Sequence, residues 1–484
     1  MSRMTTLDPQ AILDGRTPGR PSLKLIVGMV VTSTCALAAL AVFAFLGDGG
    51  TFFVGLALAL LPVPILLSAV LLLDRLEPKP VRGLVSAFLW GAGAAAVGGL
   101  ILNTLGYSFA SVSFFGDDKG LVWTATVGAP VIEESLKGAV LFVLLWFRRN
   151  EIDGITDGIV YAAMVALGFA MMENISYYMQ AIDAGGQGRL EAVFILRGLI
   201  SPLGHPLFTA MTGLGVAWAA NHRRGRIPAV MAGLAGAILL HALWNGAAAY
   251  GVRGLAVVYV LDFCLLLVLL TLVFFERRAL VHQIGRHLPA YVPTGLVSPQ
   301  DIVMLGHIQR RRDARRWARK VGGKGAARAM SDYQLGATEL VLLHKRLDAG
   351  VIETDFFTTR RTQLLNLMAV ARQALLLSRP GRQPVTPPWG PSGLKEPLPV
   401  GSRWPIEGRV QRPEAPLRQE RATPRDAPSA QSTAEGPAQA LSAESATAFA
   451  ADVSRFFLDL GPPPSEDTAD SSPDPTPHDH GAAR

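Results

Sequence analysis

The chain has 484 residues, 50% of them hydrophobic, with a mean hydropathy of +0.31 and a formal net charge of +7. An ordinary soluble domain is excluded, because the apolar residues concentrate before Phe275 in runs of membrane-spanning length. A disulfide framework and zinc-finger spacing are excluded too: the two cysteines, Cys35 and Cys264, both sit inside apolar runs.

Eight runs have the ~20 residues that a hydrocarbon core of about 30 Å requires. They are Leu25–Leu46, Phe52–Leu73, Leu84–Leu105, Trp123–Phe147, Ile159–Met179, Ala192–Ala220, Ala229–Tyr250 and Leu255–Phe275. The first is too long for the apolar core of a cleavable signal peptide. Their connections alternate in charge. The arm 1–24 carries Arg16, Arg20 and Lys24, and the second connection carries Arg75, Lys79 and Arg82. Arg148 and Arg149 follow the fourth run; Arg223, Arg224 and Arg226 follow the sixth. The intervening connections are poor in Lys and Arg. The positive-inside rule then puts both termini in the cytoplasm, with the protein in the cell membrane. An even number of passes is needed to keep this alternation.

Beyond residue 275 the character changes. Residues 276–330 read as a basic juxtamembrane segment centred on RRRDARRWARK, suited to anionic lipid rather than nucleic acid. Residues 331–378 read as a small helical cytoplasmic segment, with Gly350 ending its first helix. The Pro/Ala/Ser-rich stretch 379–484 reads as disordered, with one short amphipathic helix at Ala446–Leu460. The expected fold is therefore all-α: a polytopic bundle of about eight transmembrane helices over 25–275, followed by a helical and then a disordered tail.

Chemistry concentrates where lipid forbids it. Glu133, Glu134 and Lys137 lie in the fourth run, Glu173 and Asn174 in the fifth, Arg197 and His205 in the sixth, His241 and Asn245 in the seventh. One ionised side chain at a helix centre costs roughly 2.5–3.5 kcal/mol, so these groups must face one another or water. Lys137 follows Glu133 by four residues and Glu134 by three, so it meets both on a helix. It neutralises one carboxylate and leaves the other as a general base, or the trio is a structural pair that fixes helix register. Glu173 is a proton relay, a packing partner or a catalytic acid. Arg197 reads as a counter-charge to a glutamate. His205 precedes Pro206, whose ring is expected to loosen the helix, and Thr209 is its expected partner. His241 and Asn245, four apart, present an imidazole and an amide to one point. At 1.5 Å per residue, Glu133 lies about 15 Å and His241 about 14 Å below the outer ends of their runs, with His205 about 20 Å down. The groups thus share overlapping depths.

Five blocks in order resemble the PrsW family of intramembrane proteases, relatives of the CAAX prenyl proteases. They are DRLEPKP (74–80), PVIEESLKG (130–138), DGIVYAAMVALGFAMMENI (157–175), RGLISPLGHPLFTAMTGLG (197–215) and HALWNG (241–246). The resemblance implies hydrolysis of peptide bonds in membrane-anchored proteins, such as anti-sigma factors, on the outer side. It implies catalytic roles for Glu133, Glu134, Glu173, His205, His241 and Asn245, supported by Lys137, Asn174 and Arg197. Two mechanisms fit these residues. In one, His205, His241 and Glu173 bind a metal, with zinc expected, although no HExxH is present. In the other, Glu133 or Glu134 activates water while His241 and Asn245 stabilise the oxyanion. A proton-coupled transporter using Glu173 and Lys137 is the main non-hydrolytic alternative; an inactive scaffold is the other.

Overall fold

A computed structural model of the chain describes residues 23–47, 49–73, 79–110 and 116–377. Residues 1–22 of the arm, most of the acidic-proline stretch and the expected disordered tail lie outside the described residues. Those described are helical, with no strand among them. The helices are α1 (Leu23–Leu46), α2 (Gly49–Leu60), α3 (Val63–Leu73), α4 (Val81–Trp90), α5 (Ala96–Ala110), α6 (Asp117–Trp123), α7 (Ala129–Phe147), α8 (Ile155–Phe194), α9 (Gly204–Asn221), α10 (Arg226–Ala247), α11 (Gly251–His287), α12 (Pro299–Leu305), α13 (Ile308–Asp348) and α14 (Thr354–Leu377). π-helical turns join α4 to α5, α6 to α7 and α8 to the turn before α9.

Large apolar side chains face outward along the bundle: Val30 and Phe45 on α1, Ile65 on α3, Leu105 on α5, Val257 and Phe263 on α11. Such a belt is stable against lipid and unstable against water. Among the described residues, six stretches are long and apolar enough to cross a membrane: Leu25–Phe45, Gly49–Leu73, Val81–Phe109, Ile155–Asn221, Arg226–Ala247 and Gly251–Tyr291. Two differences separate these from the eight expected. The charges of Glu133, Glu134 and Lys137 keep α7 out of the set, and the expected fifth and sixth runs fall in one stretch of 67 residues.

That stretch doubles back on itself. Gly158 near the start of α8 meets Gly213 in α9 so closely that a Cβ on either would sit 2.2–2.3 Å from the other's carbonyl oxygen. Glu173, farther along α8, meets His205 at the start of α9. Small residues therefore bring two antiparallel helices to backbone contact. α4 packs on another face of α8 in the same way, Gly91 against the Val165 carbonyl and Gly168 against that of Phe88. Consequently α8 is buried on every side from Asp157 to Phe169 and forms the central post of the bundle.

Its first turn is anchored by carboxylates. Glu276 of α11 accepts from the Ile155 and Thr156 amides, each at 2.6 Å, and from the Thr156 hydroxyl. Asp157 accepts from the Asp153 and Gly154 amides and pairs with Lys79 at 3.0 Å. These acceptors satisfy donors that an α-helix leaves open and favour its positive end.

α11 has 37 residues, about 55 Å of helix, so it outruns the hydrocarbon core and continues into a second apolar core. That core joins Ile284 and Leu288 to Met304, Leu305, Leu340, Phe357 and Met368 of α12–α14. The basic run Arg310–Lys320 lies inside this module rather than forming a loose lipid-facing strip. Ala314 and Ala318 are fully buried in its core, and buried Arg311 donates to the Leu305 carbonyl and the Thr338 hydroxyl. Apolar residues at helical spacing within the run account for the difference. Gly350 follows α13 at φ 65°, a left-handed position that suits glycine.

Candidate active site

α7 carries the centre of the site. Glu134 is fully buried. Its Oε1 accepts from Lys137 Nζ at 2.8 Å and from His241 Nδ1 at 3.0 Å; its Oε2 accepts from Thr209 Oγ1 at 2.8 Å. Glu133, one residue earlier, points elsewhere. Its Oε1 accepts from Asn103 Nδ2 of α5 at 3.1 Å. Its Oε2 is buried with no hydrogen-bond partner, 3.5 Å from Lys137 Nζ and 3.9 Å from His241 Nε2. Lys137 Nζ also lies 3.1 Å from His205 Nδ1 and 4.0 Å from the centroid of the Phe169 ring.

The α8–α9 hairpin supplies the other half. Glu173 Oε2 accepts from His205 Nε2 at 2.8 Å and from Arg197 Nη2, and Arg197 Nε donates to Asn174 Oδ1 at 2.8 Å. Arg197 stands on the π-helical turn Ile195–Ile200 and stacks over Tyr177. The two imidazoles are edge-to-face at 5.1 Å, and Phe208 stacks on His241. Pro206 falls in the first turn of α9, where the missing N–H opens no bond, so the expected loosening is absent.

The hydrogen bonds assign the imidazole protons. A carboxylate only accepts, so His241 is protonated at Nδ1 toward Glu134 and His205 at Nε2 toward Glu173. The remaining lone pairs are on His241 Nε2 and His205 Nδ1, on the side of the Glu133 carboxylate and the Lys137 ammonium.

Eight of the nine residues singled out in the sequence thus join one connected network; Asn245 is the exception. Its amide donates to the Ala125 carbonyl at 2.8 Å, because its turn of α10 faces the π-helical segment before α7. Two other expectations change. Thr209 partners Glu134 rather than His205. Glu173 is committed to Arg197 and His205, and Glu133 is the carboxylate that groups with the two histidines.

Residues 79–275 match the profile described as PrsW family intramembrane metalloprotease. Three curated relatives, each named Protease PrsW, align with this chain. The protein of Oceanobacillus iheyensis is 28% identical over 190 residues, 39% of this chain and 80% of the relative. That of Clostridioides difficile is 29% identical over 156 residues, 32% and 62%. That of Geobacillus kaustophilus is 30% identical over 152 residues, 31% and 59%. Over residues 79–275 the membrane region is thus similar to the PrsW family, a family of membrane proteases. No solved structure matches the chain.

The PrsW label implies a metal, and the donor set fits one. Glu133, His205 and His241 each offer a ligand atom within 4.8 Å of the others. Glu133 Oε2 is an orphaned buried acceptor, and each imidazole has its second nitrogen fixed by a carboxylate, an arrangement common around metal-ligating histidines.

Two contributors escaped the sequence reading. Asn103 was legible as an amide inside an apolar run, GLILNTLG. Phe208, which stacks on His241, carries no signal in the sequence, since it is one apolar residue among many.

Proposed function

We propose that this PrsW-family protein hydrolyses peptide bonds of membrane-anchored proteins at the Glu133–Glu134–His205–His241 cluster. The observation that carries the reading is the orphaned Glu133 Oε2 beside two imidazoles whose outer nitrogens are already held. Here α5, α7, α8, α9 and α10 all contribute to one buried network.

Glu133, His205 and His241 would hold a divalent metal such as zinc, in keeping with the metalloprotease description of the family. Such an ion, when bound, lowers the pKa of its water and polarises a carbonyl. The chain's own groups do the rest. Glu134 holds His241 by Nδ1–H, and Thr209 holds the far oxygen of Glu134. Glu173 holds His205 by Nε2–H, while Arg197 balances its charge. Lys137 offsets the charges of Glu133 and Glu134. Phe169 and Phe208 wall the imidazoles against water and lipid.

A metal-free reading is favoured by one observation. The Lys137 ammonium already stands beside the would-be ligands, within 3.5 Å of Glu133, Glu134 and His205. In that case Glu133 removes the proton from the attacking water, and Lys137 stabilises the anion that forms.

The basic connections support eight passes with both termini in the cytoplasm of a cell-membrane protein, and the α8–α9 hairpin supplies the passes hidden in the 67-residue stretch. Substrates of anti-sigma-factor type follow from the family resemblance.

The test is metal content of the purified protein, measured beside cleavage of a co-expressed membrane-anchored substrate with and without chelator. Loss on chelation and rescue by zinc select the metal reading; indifference to chelator selects Glu133 alone. Retained cleavage in both Glu133→Ala and His241→Ala would remove the hydrolytic assignment from this cluster.

A further inference from the structure

A second cavity, of about 550 Å³, lies away from the active site between the membrane bundle and the extramembrane module. One wall is the end of α7 and the turn after it, with Trp146, Phe147, Arg148 and Arg149; the other is α13 and α14, with Arg346 and Arg360. Trp146 is 84% exposed and Phe147 74% exposed at the last turn of a bundle helix. Aromatic rings followed by arginines mark the level of lipid headgroups.

The cavity is short of negative charge. Its acids are Asp153 and Glu339. Asp153 is committed to Arg346 at 3.0 Å, with Lys79 at 4.0 Å. Burial and the neighbouring Asp153 push the Glu339 carboxyl up to about 7, so its charge is incomplete near neutrality. Arg148 is paired with Glu151. Arg149 is different. Its Nε donates to the Ala220 carbonyl at 2.7 Å, but its Nη2 is buried with no hydrogen-bond partner. Burial, together with Arg226, Arg346 and Arg223, brings the Arg149 pKa down to about 10. A half-buried guanidinium crowded by other cations, with one buried donor to spare, calls for an anion.

We propose that this cavity binds the phosphate headgroup of an anionic phospholipid, with Arg149 Nη2 as a donor and the acyl chains lying along Trp146 and Phe147. The choice of lipid over a soluble phosphate rests on those two exposed rings, which a free ion would leave unused. The bound lipid spans both walls and so fastens the module to the bundle.

The test uses the full-length protein in detergent, with retained phospholipid counted by native mass spectrometry after addition of phosphatidylglycerol or phosphatidylcholine. Wild type is expected to retain phosphatidylglycerol in preference to phosphatidylcholine. Arg149→Gln and Arg360→Gln are each expected to weaken that retention about tenfold, the scale of one charge-assisted hydrogen bond. Arg319→Gln, on an exposed part of α13, should change nothing. Arg360 lies on a helix surface, so its variant reports even if Arg149→Gln misfolds. Equal retention of the two lipids, or phosphatidylglycerol retention unchanged in both cavity variants, overturns the proposal. So does inorganic phosphate binding without lipid retention, which would identify a soluble-anion site.

Discussion

The bundle and the module both bury charge, and they do so in different ways. In the module, Asp301 Oδ2 accepts from the Ser298 amide, the Ser298 hydroxyl and Arg372, while Arg311 ties the end of α12 to α13. Those charges close a helix start and lock neighbouring elements. In the bundle, the carboxylates of Glu133, Glu134 and Glu173 face the two cations Lys137 and Arg197, and one carboxylate oxygen is left without a donor. A buried charge that finishes a structural bond is architecture. In the bundle an acceptor is left over beside two imidazoles, the imbalance on which the proposed reactivity rests.

The contrast breaks first at Glu133. Glu133→Gln should keep the Asn103 contact and the fold yet lower cleavage by roughly 10²–10⁴-fold, the range associated with losing a general base. Immunoblots of substrate cleavage at matched expression measure this. The module should answer in stability instead. Arg372→Leu strands Asp301 and should cost about 3–5 kcal/mol, seen as a lower unfolding temperature and earlier proteolysis within 281–375, with the cluster's metal content unchanged. Thr209→Val tests the layer behind the ligands. It removes one donor to Glu134 and should lower metal affinity or cleavage roughly tenfold at unchanged stability. The smallest effect belongs to Glu339. An unfolded chain releases this proton near 4.5 and the folded one at about 7, so the native state binds more protons between those values. Stability should therefore fall as pH rises through that window, and Glu339→Gln should flatten the dependence, as melting curves from about pH 5 to about pH 8 would show.

Much of this was legible before any coordinates. Apolar runs interrupted by acids and imidazoles are a period-and-length signal, and they put Glu133 and His241 at matching depth, with Glu173 nearer the outer face and His205 deeper. What the sequence could not assign was which carboxylate does what. Glu133 and Glu134 are adjacent, so they diverge by about 100° around the helix, and only Asn103, Thr209 and His241 on other helices tell them apart. Asn245 misled for the same reason: spacing places it near His241, but the neighbouring Ala125 carbonyl claims its amide. The packing of the basic run on α13 into the module was not read from the sequence, because its net charge masked the alanines that pack it.

The cap on α8 carries a practical consequence. The similarity to the PrsW family ends at residue 275, one position short of Glu276. A fragment trimmed to the recognised region would lose the carboxylate that receives three donors at the foot of the helix bearing Glu173. That helix would keep only the Asp157 anchor at its base, so the smallest faithful piece of this protein must extend beyond its recognisable border.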